Sequence, residues 1–369
     1  QRIARPRNLP RTPGGPPEHL GLPRRCSGYT RRPMSTGAQL TVAVFHESSR
    51  WSLPSSHIEK LRAVVGDALT IVQVRSGTEL VDALPSTTHL IGTPSTADDL
   101  VPHLDHLKFI QLAHGAGDAT QSVTNAVQAG VPVASAASVR APQVSEHAMA
   151  LMLALIRRLD GAMVKMNEHS WSPKDLASSI RTLHNATVGI IAIGPVASEL
   201  RVRLGAFGAI TRFIGFDPDN PEALDLADFT AGPLMAALDG CDVVVVATPR
   251  LPVTTRLIGR KELAALPAHA FLVDVSRGGV VRSDALIDAL RRGRLAGAGL
   301  DVFEDEPLPS DSPYWTMQNV LVTPHIAAAS PDYWERATAH FCTNIGRVLK
   351  GEQPIDRIQP AWLDDFKRS

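Results

Sequence analysis

Val188-Gly189-Ile190-Ile191-Ala192-Ile193-Gly194-Pro195-Val196-Ala197 decides the fold. Its apolar first half reads as a buried strand, Gly194 permits a tight turn, and Pro195 suits the first position of a helix. The pattern predicts a strand over 188–193 and a helix over 196–207. Downstream, 214–216, 242–247, 270–275 and 296–300 are further apolar runs, as strands buried on both faces require. Upstream, 40–45, 70–74, 89–92 and 107–112 read as strands and 57–65 as a helix. Residues 143 to about 165 read as one long helix, Ser283 as the N-cap of a helix ending near Leu290, and Tyr333–Leu349 as a closing helix. The alternation of strands and helices implies an α/β fold of parallel sheets with helices on their faces.

A chain of 369 residues can bury a sizeable core, and its length suggests two domains. Charge is balanced overall but uneven: the first 33 residues hold eight Arg against one Glu, a local charge of +7, which leaves −7 on the remainder. That remainder has no basic stripe for nucleic acid. The longest apolar run, 148–156, is too short to span a bilayer. The three cysteines, Cys26, Cys241 and Cys342, show no zinc spacing and no disulfide framework, which favours a reducing compartment and a cytoplasmic location. Residues 1–37 are rich in proline, with little to bury, and are expected to be disordered. Their Arg-rich, acid-poor character makes a mitochondrial presequence the alternative.

Three later segments each carry one reactive group: Val275-Ser276-Arg277-Gly278-Gly279, Asp301-Val302-Phe303-Glu304-Asp305-Glu306-Pro307 and Thr323-Pro324-His325-Ile326-Ala327. A guanidinium at Arg277 can hold a carboxylate through two parallel hydrogen bonds. An imidazole at His325 can give or take a proton near neutral pH, and a carboxylate at Glu306 can orient that ring. Together they suit proton and hydride exchange at an α-keto acid. Taken singly, each has a plainer reading: a surface arginine in a glycine turn, a solvated acidic loop, a structural histidine.

The order and spacing of Arg277, Glu306 and His325, within a stretch from roughly 107 to 351, resemble the D-isomer-specific 2-hydroxyacid dehydrogenase family. The resemblance implies two Rossmann-like doubly wound parallel-sheet domains, the dinucleotide domain (140–328) inserted in a discontinuous substrate domain (38–139 and 329–354). It implies NAD-dependent interconversion of a 2-keto acid and a D-2-hydroxy acid, with His325 as general acid/base, Glu306 as its partner and Arg277 binding substrate. A homodimer is expected through the region of the long helix, and no metal is required. The small-residue loop Gly115, Ala116 and Gly117 would donate backbone N–H groups to the substrate carboxylate.

The family's glycine fingerprint falls on the opening stretch, where Ala192 replaces the first glycine, Gly194 keeps the second and Ala197 fills the third place. Pro195 removes one N–H, so the phosphates would lean on the amides of Val196 and Ala197. Asp217, 23 residues past Gly194, would accept from the adenosine ribose and favour NAD over NADP. An Asp-Pro turn is the plainer reading of that residue. Thr248, Pro249 and Asp301 match positions against the nicotinamide half, and Val275 joins the cofactor contacts. The loop ending at Asp118 is one residue short, and Arg140 stands where Asn is common; both bear on substrate identity. A non-catalytic, NADH-responsive regulator of the same fold is the competing reading. Formate dehydrogenase is disfavoured, because it carries glutamine where Glu306 stands.

Overall fold

A computed structural model describes residues 37–45, 52–92, 100–113, 121–191, 194–214, 231–250 and 254–360. The expected disorder of 1–37 therefore falls, save for Gly37, outside the described residues. Among those described, strands β1 (Gln39–Ala43), β2 (Thr70–Gln73), β3 (Thr87–Gly92), β4 (Phe109–Gln111) and β5 (Val133–Ala134) form one parallel sheet in the order β2-β1-β3-β4-β5. Strands β6 (Thr187–Ile191), β7 (Ile210–Ile214), β8 (Val243–Val246), β9 (Phe271–Asp274), β10 (Gly297–Leu300) and β11 (Val320–Val322) form a second, in the order β11-β10-β9-β8-β6-β7. Every pairing is parallel.

The apolar runs explain the layering. In β8, Val243 and Val245 join a core with the helices Ala137–Ile156 and Pro195–Ala206, while Val244 and Val246 face the opposite core. A strand whose alternate residues enter two cores must be apolar throughout. The first sheet is covered likewise: Leu40 and Val42 pack with the helices Ser55–Val65 and Tyr333–Leu349, Leu90 and Ile110 with Leu80 and Val123.

The helix Tyr333–Leu349 thus returns to the first sheet after the whole second sheet has been laid down. Buried polar contacts fix it there. Tyr333 Oη donates to the Ala113 carbonyl at 2.6 Å, Asn344 Nδ2 donates to Gln111 Oε1 at 2.8 Å, and Thr338 Oγ1 lies 2.8 Å from His57 Nδ1. In the interior such groups would be costly without partners.

Three expectations need correction. The long helix starts at Ala137 and ends at Ile156; Arg158 takes a left-handed φ of 57° and a separate helix runs over Leu159–Asn167. An apolar pattern cannot reveal a one-residue reversal. The strand placed at 214–216 is β7, four residues earlier, because its less apolar residues are only half buried. Ser283 is the first helical residue and not the cap; Arg282 takes that place in extended conformation, its guanidinium paired with Asp284.

Phe341 is fully buried between the closing helix and the first sheet. Replacing it with Ala is expected to cost about 3–5 kcal/mol in chemical denaturation. A cost near zero would show that this helix does not belong to that core.

Candidate active site

Parallel strands deliver their following residues to one edge, and open α/β sheets bind ligands there. In the second sheet Asp274, Leu300 and Val322 are register neighbours at the carboxyl ends of β9, β10 and β11. Arg277, Asp301 and His325 follow within three residues of those ends. Thr248 follows β8, and Gly194 follows β6.

His325 and Glu306 meet: Nδ1 of the imidazole lies 2.6 Å from Oε2 of the carboxylate. An ionised carboxylate accepts only, so Nδ1 carries the proton and Nε2 is left for the cavity. The other Glu306 oxygen accepts from the Phe303 amide at 3.0 Å, which fixes the carboxylate's orientation. Glu306 precedes a cis proline, Pro307.

The turn that carries His325 is held from beneath. Asp301 is only 1% exposed, and its carboxylate accepts from the amides of Ile326 and Ala327 at 2.9 Å each and from Thr323 Oγ1 at 2.6 Å. Thr323 Oγ1 in turn lies 2.9 Å from His147 Nε2; since the hydroxyl proton goes to Asp301, His147 donates. His147 thus closes this network. His325 itself sits at φ 50°, a left-handed conformation that these bonds hold in place.

Arg277 lies on the turn after β9, where Gly278 passes against the Phe303–Glu304 backbone. A Cβ built on Gly278 would lie 1.6 Å from the Phe303 carbonyl oxygen, so no side chain fits there. That approach brings the arginine loop against the loop carrying Glu306. Arg277, Glu306 and His325 line one cavity of about 840 Å³, together with Arg140, Leu308, Trp315 and Tyr333.

A smaller cavity adjoins Arg277 and Arg140 and is lined by Val196, Thr248, Pro249 and Val275. Four of the residues expected to touch the cofactor are therefore brought together. Gly194 caps the neighbouring helix at φ 82°, a conformation glycine adopts without strain, and Pro195 takes the first helical position. A dinucleotide fits this arrangement: a helix N-terminus beside the crevice between β6 and β8, where strand order reverses. One expectation changes. The Ala197 amide donates to the Gly194 carbonyl at 3.0 Å, so one of the two amides expected at the phosphates is engaged in closing the turn. Asp301 lies with its carboxylate inward under the His325 turn. Gly115, Ala116, Gly117, Asp217 and Ala192 lie outside the described residues.

Sequence reasoning passed over Asp274. Its carboxyl is buried at the end of β9 and accepts from both the amide and the hydroxyl of Ser276, which shapes the turn leading to Arg277. Burial pushes it up to about 7, and Asp301 and Glu306 push in the same direction. An acidic residue inside the apolar run 271–275 was the available signal. Leu308, Trp315 and Tyr333 carried no such mark.

Residues 149–327 match the sequence model of the D-isomer specific 2-hydroxyacid dehydrogenase NAD binding domain. The chain is 30% identical over 319 residues to the glyoxylate reductase of Thermofilum pendens, covering 84% of this chain and 86% of that protein. The chain belongs to the D-isomer specific 2-hydroxyacid dehydrogenase family. It is also 30% identical over 298 residues to the D-3-phosphoglycerate dehydrogenase of Methanocaldococcus jannaschii, but spans only about half of that relative, 52%. A solved family structure from Xanthobacter autotrophicus Py2, in complex with NADPH and MES, superposes with a TM-score of 0.69 at 25% identity, covering 87% of this chain and 99% of that one. The family's NAD-binding region thus includes Gly194, Arg277, Glu306 and His325 of this member.

Asp274 gives this family member a pH-dependent cost. With a folded value near 7 against 3.8 unfolded, the folded carboxyl keeps its proton where the unfolded one has lost it. Stability from this group is full below about pH 4 and declines as pH rises towards 7. Asp274→Asn keeps the acceptor for Ser276 and removes the titration. Its stability is expected to fall less between about pH 5 and pH 8, by an amount on the order of a few kcal/mol. Parallel pH profiles of Tm for the two proteins would contradict this.

Proposed function

We propose that this chain catalyses the NAD-dependent interconversion of a 2-keto acid and a D-2-hydroxy acid. The observation that carries the reading is the 2.6 Å contact of His325 with Glu306, on a cavity that Arg277 also lines. A competent acid–base pair beside a carboxylate-binding guanidinium is more than a binding module needs.

In the proposed reaction the substrate carboxylate pairs with Arg277 and with the backbone amides of 115–117. Arg277 also polarises the keto oxygen. His325, protonated on both nitrogens, gives the Nε2 proton to that oxygen, and Glu306 holds the ring through Nδ1 and stabilises its positive charge. Oxidation runs the same proton in reverse, from the hydroxyl to neutral His325. A nicotinamide dinucleotide held there would supply or take the hydride exchanged with the carbonyl carbon. Val196, Thr248, Pro249 and Val275 would hold the dinucleotide, and Asp217 is the residue we assign to the ribose hydroxyls, favouring NAD over NADP.

The reading includes a homodimer. Leu159, Met163, Val164 and Met166 on the helix after the Arg158 break are 51–64% exposed, and Trp171 beyond it is 95% exposed. A cluster of that kind on a soluble protein marks a surface that another chain covers. Light scattering after size exclusion is expected to give twice the chain mass; a monomer at micromolar concentration would overturn this part.

His325→Ala is expected to lower kcat for 2-keto acid reduction by ~10²–10⁴-fold while NADH binding, followed by fluorescence, persists. Glu306→Gln should lower kcat by ~10-fold or more, with a smaller change in KM. Wild-type turnover in His325→Ala would remove the histidine from the mechanism. Absence of any NADH or NADPH oxidation by the unaltered protein with 2-keto acids would favour the NADH-responsive regulator instead.

A further inference from the structure

We infer that the preferred substrate is a 2-keto acid with a sizeable apolar side chain, aliphatic or aromatic, and not glyoxylate, hydroxypyruvate or a phosphorylated 2-keto acid. The inference rests on the proposed dehydrogenase reading and concerns the same cavity.

The chemistry of the walls carries it. Once Arg277, Glu306 and His325 are assigned to the carboxylate and keto group, Arg140 is the remaining charged residue among the described lining residues. Arg140 also borders the smaller cavity with Val196, Thr248 and Val275, so it stands on the dinucleotide side. The rest of the described wall is Leu308, Trp315, Val322, Ala328, Ala329 and Tyr333, with flanking prolines and Phe303.

Both aromatic residues with a polar end have that end committed elsewhere. Tyr333 Oη donates to the Ala113 carbonyl at 2.6 Å, and Trp315 Nε1 donates to the Pro309 carbonyl at 2.8 Å. Both rings line the cavity, with the single donor of each already engaged, and Tyr333 Oη keeps acceptor capacity alone. A hydroxyl on the substrate side chain would give up several water partners there for, at most, the acceptor oxygen of Tyr333. Among the described lining residues, a phosphate would find no cation beyond Arg277, His325 and the dinucleotide-side Arg140.

Size points the same way. The cavity of about 840 Å³ lies in the range of sites for drug-sized ligands, and glyoxylate would leave its apolar part to water. Trp315, 52% exposed, brings a large apolar ring to this wall. Each methylene buried against such a wall gains roughly fourfold in binding, and a gain expressed in the transition state appears in kcat/KM.

The test is a homologous series assayed with both NADH and NADPH: glyoxylate, pyruvate, 2-oxobutyrate, 2-oxopentanoate, 2-oxohexanoate and phenylpyruvate, beside hydroxypyruvate and 2-oxoglutarate. The expected result is a kcat/KM that rises from glyoxylate to 2-oxohexanoate by roughly threefold to fourfold per methylene. In Trp315→Ala the ratio of kcat/KM for 2-oxohexanoate to that for glyoxylate should fall ~10-fold. Ala329→Trp, which fills the cavity, should lower the same ratio. Trp315 is surface-exposed, so its loss leaves the fold standing.

A flat or falling series, or a clear preference for hydroxypyruvate or 2-oxoglutarate, would overturn the substrate class and leave the dehydrogenase reading intact. No turnover of any member with either cofactor would overturn both.

Discussion

Everything at the proposed active site depends on one buried carboxylate. Asp301 is removed from water, so its charge must be met by donors. Three of them, the amides of Ile326 and Ala327 and the hydroxyl of Thr323, belong to the turn that carries His325. If that turn relaxed, the carboxylate would lose its partners and two amides would lose their acceptor. The left-handed backbone at His325 is therefore held by the cost of the alternative. The parallel pairing of β9, β10 and β11 does the rest. It places the three loops side by side at one edge, and Gly278 lets the first touch the second.

The same packing concentrates acid beneath the cavity. Asp274, Asp301 and Glu306 lie near enough to influence one another, and burial leaves Asp274 without enough compensation to stay ionised easily. Asp301 is met by amides, and Glu306 by His325 and the Phe303 amide. Among the described residues, Asp274 is met by Ser276 alone. Arg277 emerges from the turn that Asp274 shapes, so strand end, turn and guanidinium form one unit. Negative charge below and positive groups at the rim suit a substrate that arrives as an anion and a ring that becomes a cation during reaction.

The doubly buried strands such as β8 and β9 and the closing helix were legible because burial on two faces leaves an unbroken apolar run, and because Tyr333–Leu349 repeats its apolar residues at helical spacing. Arg277, Glu306 and His325 could be singled out because each combines a reactive group with a glycine or proline neighbour, and their order matches a family. What lay beyond reach was set by a single backbone angle or by partners distant in the chain. The reversal at Arg158 is one left-handed residue. The inward turn of Asp301 depends on amides 25 and 26 residues later. Trp315 and Tyr333 look like ordinary core or surface aromatics until the cavity between them is visible.

The dinucleotide turn shows why an altered fingerprint need not mean a lost site, and what it gives up. The angle at Gly194 is the one the glycine of such a turn supplies, and space around it is open, so the constraint there is conformational and not steric. Pro195 contributes no N–H, but a first-turn amide has no partner within the helix in any case, and proline favours the entry angle. The Ala197 amide is spent closing the turn on Gly194. The helix end therefore presents the Val196 amide and the dipole of its twelve residues where a fuller set of donors would be usual. On the proposed reading, cofactor affinity then leans on the walls formed by Thr248, Pro249 and Val275. That distribution suits a site in which the nicotinamide is positioned by packing beside Arg277 more than by its phosphates.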